Sequence, residues 1–123
     1  MAGSDEKRAV ILYGIPGCDS VRKARRWLDE HGIGYTFHDY RKAGIEADRL
    51  ARWVDAVGWE PLLNRRGTTF RQLDEADKES LDTDTAQALM RERTSLIKRP
   101  VVEHGDEVLV GFVEMTWKQL LIE

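Results

Sequence analysis

Short apolar runs alternate with longer amphipathic stretches along this chain. Residues 9–14 form an apolar run closed by glycine and proline, which predicts a buried strand. From about Asp19 to His31, apolar residues recur every three or four positions, which predicts an amphipathic helix that Gly32 ends. Residues 35–40 alternate and are rich in aromatic side chains, so we expect a second strand, parallel to the first. The predicted core-facing positions of the helix are Val21, Ala24, Trp27, Leu28 and His31.

The middle of the chain, from Arg41 to about Lys98, has the pattern of several helices. One helix is predicted to begin near Ile45, and another is predicted to be capped by Asp82, Thr83 or Asp84. A short helical turn and a polar loop are predicted between them, over residues 61–70. The predicted core positions of the two helices are Leu50, Trp53, Val54 and Val57, and then Ala86, Leu89 and Met90.

The last part of the chain predicts a β-hairpin and a final helix. Two apolar runs, 101–103 and 108–111, flank a polar turn at 104–107. The final helix is predicted to face the core with Met115, Trp117, Leu120 and Leu121. This order of elements predicts an α/β, thioredoxin-like fold. It has a four-stranded mixed sheet and a helical insertion, about residues 42–97, between the βαβ unit and the C-terminal ββα unit.

Composition narrows the class of protein. The chain has 123 residues, which suits one domain (residues 9–123) preceded by a polar, flexible tail (residues 1–8). A net charge of −3 argues against generic binding to nucleic acid or to an anionic membrane. We found no apolar stretch near the ~20 residues that a membrane span needs, and no signal-peptide pattern. With one cysteine, no internal disulfide is possible, so we expect a reducing cytoplasm.

Cys18, that one cysteine, stands where a thiol becomes reactive. It follows the first predicted strand and the turn at residues 14–17, at the start of the amphipathic helix. A helix N-terminus carries unpaired N–H groups and partial positive charge, which favour the thiolate. Arg22 lies one turn further along, among other cations. We therefore hypothesise that Cys18 is a nucleophile, although free cysteines often only fill core space.

Several other kinds of site are excluded by spacing. The three histidines fall in three different elements, so no metal site is predicted. The turn at residues 14–17 lacks the pattern of a nucleotide P-loop. A Cys-x5-Arg phosphate cradle needs arginine at position 24, which is alanine, and a Cys-x-x-Cys pair needs cysteine at position 21, which is valine. Cys18 therefore needs an outside thiol for any redox cycle.

Five segments, in the same order along the chain, resemble the ArsC/Spx superfamily and most of all its YffB-type branch. They are residues 13–24 (YGIPGCDSVRKA), 39–42 (DYRK), 62–69 (LLNRRGTT), 95–102 (SLIKRPVV) and 110–112 (VGF). The resemblance implies a thioredoxin-like core and a catalytic cysteine at Cys18. In the glutaredoxin-coupled arsenate reductases of this superfamily, that cysteine attacks arsenate, forms a glutathione adduct and is released by glutaredoxin.

The same resemblance assigns roles to further residues. Those reductases hold their oxyanion with three arginines; one of them matches Arg99, which precedes the family's cis proline, here Pro100. At the second arginine position this chain has Asn64, with Arg65 adjacent. The third position falls in residues 110–112, which contain no arginine. The family has a histidine four residues before the cysteine, and this chain has Gly14 at that position. Such differences are typical of the YffB branch, for which a glutathione-dependent thiol reductase is the usual proposal.

The sequence thus predicts a monothiol reductase with Cys18 and Arg99 as catalytic residues. It predicts no metal and no tightly bound cofactor; glutathione is the expected co-substrate, glutaredoxin a possible partner, and the protein a monomer. We expect Ser20 to cap the helix, with donation of a hydrogen bond to the thiolate as the alternative. The other expected glutathione-binding or substrate-binding residues are Gly17, Asp19, Ser20, Arg22, Asn64, Arg65 and Pro100.

Three alternatives stay open. The first is an Spx-like transcriptional regulator that binds the α-subunit of RNA polymerase, although Val21 replaces the second thiol of the usual Spx switch. The second is an arsenate reductase proper. The third is a thioredoxin-like protein with a purely structural cysteine.

Overall fold

A four-stranded mixed sheet with helices forms, as predicted, in a computed structural model that describes residues 9–122. The described strands are β1 (Val10–Gly14), β2 (Thr36–Asp39), β3 (Val101–His104) and β4 (Glu107–Val110). Their order is β2-β1-β3-β4, with β1 parallel to β2 and antiparallel to β3, and β3 antiparallel to β4. This confirms the thioredoxin-like plan. The predicted tail, residues 1–8, lies outside the described residues.

Helices supply the rest of the regular structure. They are α1 (Asp19–Glu30), α2 (Tyr40–Ala43), α3 (Ala47–Val57), α4 (Trp59–Leu62), α5 (Thr68–Arg71), α6 (Glu75–Glu79), α7 (Thr83–Glu92), a 3₁₀ turn (Thr94–Leu96) and α8 (Glu114–Leu121). No helix within residues 9–122 is long and apolar enough to cross a membrane.

Two compact units divide the chain. Of the described residues, 9–39 and 99–122 form one unit, here called the sheet unit; the other, the helical unit, is Tyr40–Lys98. The helical unit lies within two residues of the predicted insertion at each end.

The core of the sheet unit forms where α1 and α8 bury apolar residues with the strands. Trp27, Phe112 and Trp117 meet edge to face, with the Phe112 and Trp117 ring centroids 4.8 Å apart. Aromatic pairs in this geometry stabilise a core beyond the area that they bury. The buried cluster consists of Val10, Leu12, Val21, Ala24, Trp27, Leu28, Val102, Leu109 and Trp117.

The helical unit has its own buried residues. Leu50, Trp53, Ala86 and Met90 are all buried, as the periodicity predicts, and α3 packs against α7. The Tyr40 hydroxyl donates a hydrogen bond to the Ile97 carbonyl at 2.9 Å. A further contact fixes where α7 begins.

Asp82 caps α7, which agrees with one of the three predicted capping residues. Its carboxylate accepts a hydrogen bond from the Thr85 backbone N–H at 2.9 Å, and the Thr85 hydroxyl accepts one from the Asp82 N–H. The hydrogen bond from the Thr85 backbone lowers the pKa of Asp82, because it stabilises the charged form.

Two predicted core positions are wrong. His31 follows the end of α1 and is exposed, although its ring stacks against Trp27 with centroids 4.2 Å apart. Met115 is 74% exposed. It precedes the buried Trp117 by two positions, and residues two apart lie on nearly opposite sides of a helix.

The end of β1 lies unusually close to α1. Gly14 is buried, and a Cβ added there would lie 2.7 Å from Cγ2 of Val21, which is itself fully buried. Only glycine lets the strand and the helix approach this far.

We predict that Gly14→Ala lowers the free energy of unfolding by about 1–3 kcal/mol, because the added methyl group would overlap the stiff, fully buried Val21 side chain. Chemical denaturation followed by far-UV circular dichroism measures the change. Gly17→Ala is the matched control, since a Cβ at Gly17 meets nothing within 4 Å.

Adding Val21→Ala to Gly14→Ala should remove the clash. The double variant should therefore be less destabilised than the sum of the two single variants. Strict additivity, or equal stability of Gly14→Ala and Gly17→Ala, would show that the close contact does not constrain the fold.

Candidate active site

Cys18 occupies the N-cap position of α1, directly after the turn that leaves β1. Its backbone is extended, with φ −85° and ψ 130°, and its carbonyl accepts the hydrogen bond of the Arg22 N–H at 2.9 Å. The side chain is half-buried and packs against the core cluster of the sheet unit. The thiol makes no capping hydrogen bond to the helix. It is therefore held beside the N–H groups of the first turn while remaining partly accessible.

The close contact of Gly14 with Val21 sets this position of the thiol. Gly14 ends β1, and Val21 lies in the first turn of α1. Their contact therefore fixes the two ends of the turn that carries Cys18. It also explains one difference from the pattern that the resemblance implies, because a histidine at position 14 would clash with the fully buried Val21.

Asp19 and Arg22 form an ion pair one helical turn apart, and both side chains are exposed. The hydrogen bond and the charge of the Arg22 guanidinium lower the pKa of Asp19. Arg22, which the sequence predicts to bind glutathione, therefore pairs with the carboxylate of Asp19.

The prediction that Ser20 caps α1 is wrong. It lies inside the first turn, because Cys18 already holds the capping position. Ser20 and Gly17 are both exposed beside the thiol's turn.

The bond between Arg99 and Pro100 is cis, which confirms the expectation from the resemblance. Pro100 is buried at the start of β3, and its carbonyl accepts a hydrogen bond from the Gly111 N–H at 2.8 Å. This bond ties the proline to the end of β4. Arg99 is half-buried, and its Nε atom is shielded from solvent.

The two remaining predicted residues belong to the helical unit. Asn64 accepts a hydrogen bond from the Arg66 N–H through Oδ1 at 3.3 Å, so its side chain shapes the loop after α4. The Arg65 guanidinium lies 5.8 Å from the centre of the Trp59 ring and 4.0 Å from the Glu60 carboxylate.

A pocket in the helical unit brings Asn64 and Arg65 together with residues that sequence reasoning missed. Its lining is Glu60, Leu63, Asn64, Arg65, Arg66 and Lys98. The adjacent arginines were visible in the sequence, but Lys98 is more than thirty positions away, and only the fold brings it there. The predicted site residues thus fall into two groups: Asn64 and Arg65 in the helical unit, and Gly17, Cys18, Asp19, Ser20, Arg22, Arg99 and Pro100 in the sheet unit.

Comparison with known proteins places this arrangement in a family. The model of the ArsC family matches residues 13–120. An uncharacterized protein of Haemophilus influenzae is 41% identical over 109 residues, which cover 89% of this chain and 96% of the relative. The global transcriptional regulator Spx of Streptococcus mutans is 29% identical over 107 residues, or 85% of this chain and 77% of the regulator.

Solved structures agree with this placement. The YffB protein is 50% identical, with a TM-score of 0.89, over 92% of this chain and 99% of its own. An arsenate reductase-related protein from Brucella melitensis is 45% identical, with a TM-score of 0.74, over 94% of this chain and 96% of its own. Because the family model spans nearly all of the described residues, this chain belongs to the ArsC family.

Proposed function

We propose that this protein is a monothiol reductase that uses glutathione as co-substrate and Cys18 as nucleophile. The observation that carries the proposal is the position of this thiol, half-buried at the N-cap of a twelve-residue helix. The positive end of the helix stabilises a thiolate, and partial exposure lets a small disulfide reach it. A glutathione-rich, reducing cytoplasm would suit this chemistry.

The reaction needs two exchanges. The Cys18 thiolate attacks the glutathione sulfur of a mixed disulfide, so a Cys18–glutathione disulfide forms and the other thiolate leaves. A second glutathione thiolate then attacks the sulfur of the bound glutathione. Glutathione disulfide leaves, and Cys18 returns as the thiolate. Glutaredoxin is an alternative reductant for this second exchange.

Arg99 is the cation that we assign to glutathione. Arginine makes paired, charge-assisted hydrogen bonds to carboxylates, and Arg99 belongs to the same compact unit as Cys18, directly before the cis Pro100.

Arsenate is a less favoured substrate than a disulfide. Of the three arginine positions in the family pattern, one is Asn64, whose oxygen serves the loop, and another falls in the arginine-free residues 110–112. An oxyanion would therefore lack two of its expected partners.

A regulatory role is the second candidate, favoured by the similarity to Spx. In that case the chain would bind the α-subunit of RNA polymerase rather than turn over a disulfide. Val21, fully buried, stands where a second thiol would be needed for a Cys-x-x-Cys switch. Binding of the purified α-subunit at micromolar affinity, measured by calorimetry, would favour this role.

We predict that at pH 7 Cys18 in the folded protein reacts with iodoacetamide faster than in the same chain unfolded in urea, because the helix end favours the thiolate. Intact mass after exposure to glutathione disulfide should show one adduct, absent in Cys18→Ser. A folded-state rate at or below the unfolded one, with no adduct, would refute the proposal.

We predict that Arg99→Lys slows formation of the adduct from glutathione disulfide by about tenfold, because lysine loses the paired hydrogen bonds to a carboxylate. Stopped-flow kinetics should show a smaller effect with the uncharged hydroxyethyl disulfide. Arg26→Lys, an exposed cation on α1, is the matched control. An equal slowing with both disulfides would mean that Arg99 does not recognise glutathione.

A further inference from the structure

Phe112 lies at the end of the sheet from which the Cys18 turn projects. The pairing of Tyr13 with Val101, and of Val101 with Val110, brings the ends of β1 and β4 and the start of β3 together. Cys18 follows the end of β1, and Phe112 follows the end of β4. The loops that carry the thiol and the phenyl ring therefore leave the sheet at the same end.

Gly111 turns the Phe112 side chain toward the thiol's side of the sheet. Leu109 belongs to the core cluster, and the alternation of a continued strand would point Phe112 to the opposite face. Gly111 ends the extended strand instead, with a φ of +77° that glycine adopts without strain. Its N–H donates to the Pro100 carbonyl at 2.8 Å, and its carbonyl accepts from the Trp117 indole N–H at 3.1 Å. The turn that directs the ring is therefore fixed through both backbone groups of the glycine.

Aromatic contacts hold the Phe112 ring in place, while part of the ring stays accessible. Its centroid lies 4.8 Å from that of Trp117 and 6.2 Å from that of Trp27, in both cases edge to face. Both indoles are buried, whereas Phe112 is half-buried. Phe112 and Cys18 both pack, partly buried, against the same core cluster. The accessible part of the ring is thus an apolar surface at the same end and on the same side of the sheet as the thiol.

We infer that Phe112 selects the substrates of Cys18 by contact with the thiol that leaves. The inference rests on the proposed function and concerns the half of the mixed disulfide that is not glutathione. When the Cys18 thiolate attacks the glutathione sulfur, the bond between the two substrate sulfurs breaks. Cys18 is oxidised to the mixed disulfide, and the leaving sulfur takes the electron pair and then a proton from water.

The chemistry of a phenyl ring identifies the class of leaving thiol. The ring favours contact with apolar and aromatic groups over hydroxylated ones. It donates no hydrogen bond and its face is electron-rich, so it offers nothing to phosphate, sulfate or another oxyanion. The preferred substrates are therefore mixed disulfides of glutathione with an aromatic or apolar thiol.

The kinetic test compares two mixed disulfides of glutathione, one with benzyl mercaptan and one with mercaptoethanol. Both leaving groups are alkyl thiols of similar acidity, so the phenyl group is the main difference between them. We expect kcat/KM to be about fivefold higher for the benzyl substrate, and Phe112→Ala to bring this ratio to about one. Phe112→Leu should keep an intermediate ratio. Met115→Gln, which removes an exposed apolar side chain from α8, is the control and should keep the full ratio.

Binding without chemistry is measured in Cys18→Ser. S-benzylglutathione carries a benzyl group in the place of the leaving thiol, and S-methylglutathione is the matched ligand without it. In ¹H–¹⁵N NMR, only the benzyl ligand should shift the Phe112 amide and the Trp117 indole N–H. It should also bind more tightly than the methyl ligand, and Phe112→Ala should abolish that difference.

The possible results separate this inference from the proposed function. Turnover of both disulfides with equal kcat/KM, or a benzyl preference that survives Phe112→Ala, would overturn the inference and leave the reductase standing. Equal binding of the two ligands, without shifts at Phe112, would overturn the inference whether or not Cys18 turns over. Selective binding of the benzyl ligand without turnover of either disulfide would refute the reductase alone.

Discussion

The contact between Gly14 and Val21 is the constraint on which the candidate active site depends. Gly14 ends β1, and a Cβ there would lie 2.7 Å from Cγ2 of Val21 in the first turn of α1, so any other residue at position 14 would force a shift. The turn between these two residues has to hold Cys18 at the N-cap, where the backbone N–H groups of the helix lie. A local packing requirement thereby sets the electrostatic surroundings of the thiol.

Two positions differ from the pattern that the family resemblance implies. Gly14, where a histidine is expected, lies against the buried Val21, and Asn64, where an arginine is expected, organises the loop that carries Arg65 and Arg66. In our proposal, the missing arginines and the thiol at a helix end together favour exchange with a disulfide over reduction of an oxyanion, because the exchange needs a thiolate more than several arginines.

Much of the fold could be predicted from the sequence because each strand and long helix has a clear period. Val21, Ala24, Trp27 and Leu28 are buried as their spacing requires. Met115 was misplaced because its spacing from Trp117 does not fit one helix face. Ser20 was misassigned because the cysteine itself occupies the capping position, and cysteine is not a usual capping residue. The cis bond at Pro100 followed only from the family resemblance. The pocket could not be predicted, since a β-bridge between distant segments brings Lys98 to Asn64.

Turnover tests the central claim most directly. With glutathione, NADPH and glutathione reductase present, the protein is given the mixed disulfide of glutathione and mercaptoethanol, and NADPH oxidation is followed with and without protein. The account predicts a rate above background that rises with protein concentration and disappears in Cys18→Ser. A rate equal to background for both proteins, although both are folded, would contradict it.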